Sequence, residues 1–499
     1  MTNKTSADNP LDERAMRLAR LQNIKKSGIN PYPEKFAKKQ SLAETKNLKE
    51  GIKVQTAGRI LTIRSMGKIA FCHLSDWSGK MQAVLNVNEI GEEKLQWFKD
   101  NVDMGDFFGV TGEIFTTKAG EISILVKNYE FLGKALLPLP EKFHGLKDTD
   151  TIYRQRYLDL ISSDESMGRF LLRSNIVRTF REFYWSRGFI EVETPILCNT
   201  ASGAAAKPFI THHNALDTDV YLRIAPEIFL KECVIGGMEK VFELGRCFRN
   251  EGMDPSHLQD FTMVEHYAAY WNYEDNMKFT EELICNILDK FFGGYKIKIK
   301  GRDGRSNEID FTPPWPRATM RDLIIKDCGI DFDKFKDADA LRREIKAKKI
   351  NLEDIDNLGR GNLIDALYKA VSRDKLISPT FLIQHPLDLS PLARRNDANP
   401  NIVDRFQLVV NTWEMCNAYS ELVDPLDQQE RFEQQTKFKE AGDQEAHNKD
   451  DEFVEALEHG APPISGWGMG VDRLVTLLTQ QDNLRDVVLF PLLRPKDKE

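Results

Sequence analysis

The feature that most constrains the fold of this chain is a change in hydrophobic period on either side of residues 134–150. From about residue 54 to residue 132 apolar residues recur at every second position, as in Met81, Ala83 and Leu85. Period two is typical of strands with one buried face, and several such strands within about 80 residues predict a small β-barrel. Residues 134–150 contain prolines and follow neither period, which indicates a linker to a larger domain.

The predicted organisation therefore has four parts. They are a basic helical N-terminal extension over residues 1–50, the barrel over 51–133, the linker over 134–150 and a large domain over 151–499. Within the large domain, residues 318–375 are charge-rich and helical in pattern, which predicts an inserted helical module.

The charge distribution disfavours a chain whose main task is to coat nucleic acid, because the formal net charge is −8. Residues 11–50 are a local exception, with ten Lys or Arg against five acidic residues. A solvated basic helix and a contact with nucleic-acid phosphates both explain that excess.

Composition predicts a cytoplasmic protein that is not embedded in a membrane. No apolar run approaches the roughly 18 residues of a membrane span, and the N-terminus MTNKTSADNP lacks the apolar core of a signal peptide. The seven cysteines are odd in number and include no CxxC pair, which disfavours a cysteine-based zinc site.

A predicted hairpin between residues 241–251 and 261–269 combines charged and aromatic side chains. Period two places Glu243, Arg249 and Glu251 on one face of its first strand. The second strand places four residues on one face: Phe261, Met263, Glu265 and Tyr267. This set suits a nucleoside triphosphate, since a guanidinium binds a phosphate oxygen, a ring stacks on a base and a carboxylate binds an amine or a metal. A structural salt-bridge network is the alternative for Arg249 and Glu251.

Two later stretches also contain residues that are suited to binding a nucleotide or an amine. "WEMCNAYSELVDPLDQ" (413–428) places Asn417, Tyr419 and Glu421 on one strand face. "GWGMGVDRLVTLL" (466–478) places three glycines and Arg473 at a strand-to-helix junction. Glycines allow the backbone to approach a planar base, and a helix N-terminus favours phosphate. The spacing is not the GxGxxG of a dinucleotide fold.

Taken in order, "GFIEVETPIL", the hairpin with "FRNE" and "GMGVDR" resemble the three signature motifs of class II aminoacyl-tRNA synthetases. "RQRYLDLI" (154–161), "RIAPEIFLK" (223–231) and "NAYSEL" (417–422) resemble the lysyl members of that class. The resemblance covers nearly the whole chain. It implies an α+β fold, with an N-terminal OB-fold barrel that binds the anticodon and a large catalytic domain whose antiparallel sheet is flanked by helices.

The resemblance also implies roles for individual residues. ATP is expected to contact Arg249, Glu251, His257, Phe261, Glu414 and Arg473, of which Arg249, Glu251 and Arg473 are expected to be catalytic. Lysine is expected to contact Gly203, Glu227, Glu265, Tyr267, Asn417, Tyr419 and Glu421. The anticodon is expected to contact Arg64, Phe71 and Gln82. From its residue type alone, Phe71 fits the barrel core better than a stacking surface.

The expected cofactor is Mg²⁺, as more than one ion bound together with ATP and held by Glu414. Gln407 stands where the family pattern has a second metal-binding glutamate, a departure that bears on how many ions bind and how tightly. Glu414 also has the opposite strand parity to Asn417 and Glu421, so that a β-bulge is required for all three to face one site.

The partners implied are ATP, L-lysine, tRNA-Lys and a second copy of the chain, which would pair through the first motif around Pro195. Two other functions fit parts of the pattern. One is a synthetase-like enzyme that attaches lysine to a protein, although such enzymes usually lack the anticodon barrel. The other is a non-catalytic tRNA-binding paralogue, in which loss of Arg249, Glu227, Glu421 or Arg473 would be expected.

Overall fold

The computed structural model describes residues 10–140, 146–200, 206–300, 306–440 and 450–496. The chain divides into two compact units, Met1–Met167 and Gly168–Glu499. The first unit extends past the predicted linker through two short helices, so the predicted boundaries of the parts stay predictions. No helix in the described ranges is long and apolar enough to cross a membrane.

The first unit is built on a barrel. Its elements are α1 (Pro10–Lys26), α2 (Leu42–Lys46), β1 (Lys53–Met66), β2 (Ile69–Asp76), β3 (Gly79–Asn86), α3 (Val87–Ile90), α4 (Glu92–Asn101), β4 (Phe107–Thr116), β5 (Ile122–Gly133), α5 (Thr149–Arg154) and α6 (Arg156–Ser162). The strands close in the order β1-β2-β3-β5-β4. Period two explains the core, because Ala70, Cys72 and Leu74 of β2 are fully buried while Phe71 and His73 between them face outward. The predicted barrel is confirmed.

The second unit is a mixed sheet with helices. Its elements are α7 (Asp164–Ser186), β6 (Ile190–Glu191), β7 (Leu197–Cys198), β8 (Ile210–His213), β9 (Thr218–Leu222), α8 (Glu227–Ile235), β10 (Lys240–Phe248), β11 (Asp260–Ala269), α9 (Tyr273–Phe291), β12 (Lys296–Lys300), β13 (Ser306–Asp310), β14 (Arg317–Thr319), α10 (Met320–Cys328), α11 (Ala338–Ala347), α12 (Arg360–Val371), β15 (Thr380–Ile383), β16 (Arg405–Val410), β17 (Trp413–Ser420), α13 (Pro425–Glu440), α14 (Asp451–Glu458), β18 (Ile464–Gly470) and α15 (Val471–Leu478).

Eight of these strands form one sheet in the order β14-β15-β16-β17-β18-β11-β10-β6. Its central pairings, from β15 to β10, are antiparallel, and the pairings at both ends are parallel. Phe279 and Leu283 of α9, Trp467 of β18 and Leu474 of α15 are buried together in its core. The predicted antiparallel sheet flanked by helices is confirmed.

Helices α10, α11 and α12 lie within the stretch predicted as an insertion. Met320, Leu341 and Leu363 belong to an apolar cluster of their own. The segment connects β14 to its parallel neighbour β15, and a parallel pair requires a long crossover connection. The helices thus supply a crossover at one end of the sheet.

Candidate active site

A cavity of about 350 Å³ lies against the face of the sheet formed by β11, β17 and β18. The start of α8, the segment after β10 and the start of α15 complete its walls. The structure brings eleven of the predicted site residues to this cavity: Glu227, Arg249, Glu251, His257, Phe261, Glu265, Tyr267, Glu414, Asn417, Tyr419 and Arg473. Glu421 and Gln407 are not among its lining residues, and Gly203 lies outside the described residues.

The hairpin that supplies half of these groups is shorter than predicted. Its first strand ends at Phe248, where it pairs with Asp260, and not at Glu251. The backbone N–H of Arg249 still donates to the carbonyl of Gln259, just before the second strand, at 2.8 Å. The N–H of Asn250 donates instead to the carbonyl of Lys207. Arg249 and Glu251 therefore reach the cavity from a connecting segment.

Arg249, Phe261 and Arg473 form the basic end of the cavity. The Arg249 guanidinium carbon lies 5.1 Å from the centre of the Phe261 ring, and its Nε has no hydrogen-bond partner among the described residues. Arg473 donates from Nη1 to the backbone carbonyl of Glu414 at 3.0 Å. Both residues are half-buried, and half-buried guanidinium groups with donors to spare are suited to phosphate oxygens.

Asp472, next to Arg473, has a structural role that the sequence did not indicate. Its carboxylate accepts from the Thr262 backbone N–H at 2.7 Å and pairs with Arg173 of α7 at 2.6 Å. These contacts fasten the start of α15 to β11 and α7. The position of Arg473 is fixed by its neighbour.

The two histidines of the hairpin differ in environment. His257 is exposed, with Nδ1 2.7 Å from an Asp254 carboxylate oxygen. His266 is buried between the Tyr184 hydroxyl and the Asn276 side chain, each 2.8 Å away, and burial lowers its pKa to about 3. Only His257 is placed to meet a ligand, since His266 is a neutral core residue.

Strand β17 contains the bulge that the parity of Glu414 required. Leu408 pairs with Cys416, but the next residue, Val409, pairs with Glu414, which leaves Met415 as the extra residue. The bulge reverses the parity, so that Glu414 and Asn417 line the same cavity.

Glu227 and Glu265 line the acidic end of the cavity, and Glu421 lies behind its wall. The Tyr419 hydroxyl donates to Glu227 Oε1 at 2.6 Å. Glu421 follows directly after β17 and lies behind Gly466, where a Cβ would collide with both the Glu421 carboxylate and the Tyr267 ring. Glycine at position 466 is therefore required by close approach, and Glu421 lies directly behind this part of the cavity wall.

A lysine of the chain, which the sequence analysis did not single out, occupies the same end. Lys231 Nζ lies 2.7 Å from Glu227 Oε1 and 2.6 Å from Glu421 Oε2. Glu227 and Lys231 are four residues apart on α8, a spacing that usually marks an ordinary surface pair. Only the burial of this helix face distinguishes them, and burial is not visible in the local sequence.

Burial also shifts the acid strength of these groups. The pKa of Glu265 is raised to about 8, first by burial and then by the nearby Glu227 carboxylate. Burial raises the pKa of Glu421 as well, and Lys231 opposes that rise. Burial raises the pKa of Tyr267 far above its ordinary value, so its hydroxyl stays a donor, and it contacts Glu265 at 3.3 Å.

Glu243, which the sequence placed on the same face, is a structural residue. It forms a buried ion pair with Arg223 and accepts from the hydroxyl of Thr194 at 2.7 Å. It is not among the residues that line the cavity. The salt-bridge alternative thus fits Glu243, whereas Arg249 and Glu251 line the cavity.

Gln407 is held by a buried histidine. His385 Nε2 lies 3.2 Å from Gln407 Oε1, and Gln407 is directly opposite Asn417 in the β16–β17 pair. In the described part of the chain there is no group of three or more His, Cys, Asp or Glu placed to hold a metal ion. Mg²⁺ bound with nucleotides commonly uses only one or two protein carboxylates together with phosphates, and Glu414 fits that pattern.

In the first unit, the predicted anticodon residues share one barrel surface. Arg64 pairs with Phe71 across β1 and β2, and Gln82 pairs with His73 across β2 and β3. Phe71 is not part of the barrel core, so its assignment as core filler was wrong. The reason is parity, since its neighbours Ala70 and Cys72 occupy the interior.

Gln82 belongs to a polar network that was not predicted. Its amide nitrogen donates to Glu121 at 2.9 Å, its carbonyl accepts from Ser123 at 3.0 Å, and His73 Nε2 lies 3.1 Å from Glu121. These residues are distant in sequence, and only the register of β2, β3 and β5 brings them together.

Part of the basic extension is structural. Arg17 is buried and donates to the carbonyls of Met104 and Ala135, and Arg20 pairs with Asp103. These two residues fasten α1 within the first unit. Other basic residues of α1 remain exposed: Arg14, Lys25 and Lys26.

The comparisons with known proteins agree with this geometry. Residues 148–494 match the family model of the class II tRNA synthetases (D, K and N), and residues 54–132 match that of the OB-fold nucleic acid binding domain. The chain therefore belongs to the class II tRNA synthetases.

Relatives define its place within the class. The lysine–tRNA ligase of Thermosipho africanus is 45% identical over 491 residues, covering 97% of this chain and 96% of the relative. Those of Fervidobacterium nodosum and Thermotoga maritima are each 46% identical, over 493 and 492 residues, covering 97% of this chain and 94% and 96% of the relatives. The chain is a member of the lysine–tRNA ligase family.

Proposed function

We propose that the chain activates L-lysine with ATP and transfers it to the 3′-terminal adenosine of tRNA-Lys. In the first step a lysine carboxylate oxygen attacks the α-phosphorus of ATP, lysyl-adenylate forms and pyrophosphate leaves. In the second step the adenosine hydroxyl attacks the lysyl carbonyl and AMP leaves. The observation that supports this function best is one cavity with two guanidinium groups at one end and the buried carboxyl groups Glu227 and Glu265 at the other, with Glu421 behind the wall at that end.

The basic end is assigned to ATP. Arg249 contacts the α-phosphate and stabilises the charge that develops as the carboxylate attacks, since its Nε is free of partners in the described structure. Phe261 stacks on adenine, with Arg473 on the opposite side, while Glu251 lies near the adenine amino group. We assign His257 to the terminal phosphates. No enzyme nucleophile is required, because positioning and charge stabilisation suffice.

The acidic end is assigned to lysine. Glu227 receives the α-ammonium, Glu421 and Tyr267 receive the ε-ammonium, and Glu265, Asn417 and Tyr419 complete the walls. A buried carboxylate is costly unless a cation neutralises it, and Lys231 supplies one cation for the buried carboxyl groups Glu227 and Glu421, so an amino acid without a terminal amine leaves this end short of a compensating cation. Selectivity follows from this cost.

Mg²⁺ is proposed as the metal bound with ATP. Glu414 would hold it, and when bound the ion neutralises phosphate charge and assists the departure of pyrophosphate. Gln407 supplies only an amide oxygen, which His385 already contacts. We infer that the Mg²⁺ ion held by the Glu414 carboxylate is bound more tightly than any second Mg²⁺ ion.

The tRNA acceptor is supported by the barrel. Phe71 is placed to stack on an anticodon base, and Arg64 beside it can contact phosphate or base. Gln82 and Glu121 offer an amide and a carboxylate for a base edge. An enzyme that attaches lysine to a protein would have no use for this surface, and a non-catalytic paralogue would not need the charged cavity.

A homodimer through the first motif is proposed from exposed apolar side chains. Ile190, Ile196 and Leu197 are 50%, 45% and 51% exposed, and they flank Pro195. Trp185, at the end of α7, is 55% exposed. Clustered exposed apolar residues commonly mark protein interfaces.

Two further assignments remain proposals. We assign residues 1–50 to the extension, 51–133 to the barrel, 134–150 to the linker and 151–499 to the catalytic domain. A cytoplasmic location is proposed because the seven cysteines are all free thiols.

The direct test is aminoacylation of an unmodified tRNA-Lys transcript with each of the twenty amino acids, ATP and Mg²⁺. Charging with lysine alone is expected. Lysine-dependent ATP–pyrophosphate exchange without any tRNA charging would instead move the acceptor to another molecule, and absence of exchange would contradict the function.

A further inference from the structure

Lys231 places a cation where a cationic substrate is expected to bind. Its ammonium group bridges Glu227 at 2.7 Å and Glu421 at 2.6 Å, and its side chain is 2% exposed. These two carboxylates are the ones assigned above to the α-ammonium and the ε-ammonium of lysine. The site must therefore accept the α-ammonium and the ε-ammonium of the substrate lysine while the ammonium group of Lys231 stays between the same two carboxylates.

The surroundings of Lys231 are built to keep it charged. Its Nζ lies 5.4 Å, 5.8 Å and 5.9 Å from the ring centres of Phe453, Tyr419 and Tyr267. Ring faces attract cations at such distances. Although burial lowers the pKa of Lys231, the Glu227 and Glu421 carboxylates outweigh burial and raise it. Lys231 is therefore a cation at neutral pH.

The charges at this end can be counted. Glu227, Glu265 and Glu421 are three buried carboxyl groups, and Lys231 compensates one negative charge. Two negative charges remain once all three are ionised. Lysine brings two ammonium groups, whereas an amino acid with a neutral side chain brings one.

We propose that Lys231 is a specificity-determining positioning residue, which compensates one carboxylate and holds Glu227 and Glu421 in place so that the pocket takes two further ammonium groups. The inference rests on the proposed function, because it concerns the same pocket. It predicts that the charge of Lys231, and not only its volume, governs the binding of lysine.

The pH dependence of lysine binding distinguishes charge from packing. The titratable groups that face Glu421 are Glu227 and Lys231 of α8, Glu265 and Tyr267 of β11, and Tyr419 of β17. Loss of the Lys231 cation removes the interaction that lowers the pKa of Glu421, so more of this carboxyl group holds a proton at neutral pH and cannot pair with an ammonium. The acidic limb of kcat/KM for lysine then moves to higher pH.

The test compares Lys231→Met, which keeps the length without the charge, with Lys231→Arg, which keeps the charge. Lysine-dependent ATP–pyrophosphate exchange is measured between pH 6 and pH 9, together with Tm. We expect Lys231→Met to raise KM for lysine at least tenfold, to change kcat less than threefold and to move the acidic limb upward. Lys231→Arg is expected to keep the limb of the wild type.

Lys134 offers a matched control in the first unit. Its side chain is also fully buried, and its ammonium lies between Asp103 and Asp106, 2.8 Å from the latter. Lys134→Met is expected to lower Tm without changing KM for lysine or the pH profile of exchange. A shift in both variants would assign the effect to general destabilisation and overturn the inference.

A folded Lys231→Met with KM for lysine within twofold of wild type and an unchanged pH profile would overturn the proposal. Should this variant not fold, Lys231→Gln, which keeps a donor without the charge, replaces it under the same criteria. Should neither neutral variant fold, Lys231→Arg decides, since a displaced acidic limb there contradicts a role of charge. Absence of exchange in the wild type would instead overturn the proposed function.

Discussion

The wall behind the cavity and the outer face of the barrel each contain a glutamate, but the two glutamates differ in burial and in what they can do. The Glu421 side chain is 1% exposed and pairs with Lys231, whereas the Glu121 side chain is 46% exposed and contacts His73 and Gln82. A buried carboxylate must be matched by a cation, and so it selects for charge. An exposed one exchanges partners with water at little cost, which suits the reading of a base edge. Burial therefore decides which site can impose a strict choice of ligand.

The largest expected effect comes from neutralising the buried carboxylate. Glu421→Gln should lower kcat/KM for lysine in ATP–pyrophosphate exchange by about 100-fold or more, because the ε-ammonium loses a desolvated partner. Glu121→Gln in the barrel is the matched control and should leave exchange unchanged. Near-normal kinetics in Glu421→Gln would contradict the claim that the buried carboxylate selects the substrate.

A substitution on the barrel is expected to have the opposite pattern of effects. Phe71→Ala should weaken tRNA charging by about 1–3 kcal/mol of lost stacking and spare lysine-dependent exchange. Both assays are run on the same preparation. Equal losses in the two assays would mean that the ring supports the fold and does not stack on a base.

The pH dependence sharpens the contrast. Burial first and the Glu227 carboxylate second raise the pKa of Glu265 to about 8, so that this carboxyl group is largely protonated at neutral pH. Loss of that proton adds a negative charge beside the two ammonium groups of lysine, and kcat/KM for lysine should rise with pH between 6 and 8, by up to about tenfold per pH unit. Glu265→Gln should make the rise shallower, and Glu421, whose pKa burial also raises, accounts for the remainder. A wild-type rate that falls over this range would contradict the assignment.

The smallest effect concerns the metal. Gln407→Glu restores a second carboxylate beside Asn417, and we expect the Mg²⁺ concentration for half-maximal exchange to fall about three- to tenfold, because Mg²⁺ prefers carboxylate oxygen. Gln82→Glu makes the same change in the barrel and should have no effect on exchange. An unchanged Mg²⁺ requirement in Gln407→Glu would place this residue away from the metal.

Local pattern predicted the elements well where one period holds. Alternation specified the barrel, and the parity of Glu414 required a bulge that the structure has at Met415. The end of β10 was misplaced because the N–H of Asn250 bonds to Lys207, a partner that is distant in sequence. Phe71 was ambiguous on its own, since residue type does not tell which barrel face it occupies.

Contacts between residues that are distant in sequence could not be predicted from the local sequence pattern. Lys231 has the spacing of an exposed helical pair, and its significance appears only when β17 brings Glu421 to it. Likewise, the network of His73, Gln82 and Glu121 depends on strand register. Eleven cavity residues were named in advance because a family resemblance adds tertiary information to the sequence pattern.

The most direct measurement is ATP–pyrophosphate exchange in the absence of tRNA, with lysine and with norleucine, which has a similar chain without the terminal amine. If buried charge selects the substrate, kcat/KM for lysine should exceed that for norleucine by about 10⁴-fold or more, as expected when a polar group of the site is left unpaired. A hydrophobic pocket alone provides a preference below about 100-fold, so a preference of that size would contradict the central role of Glu421.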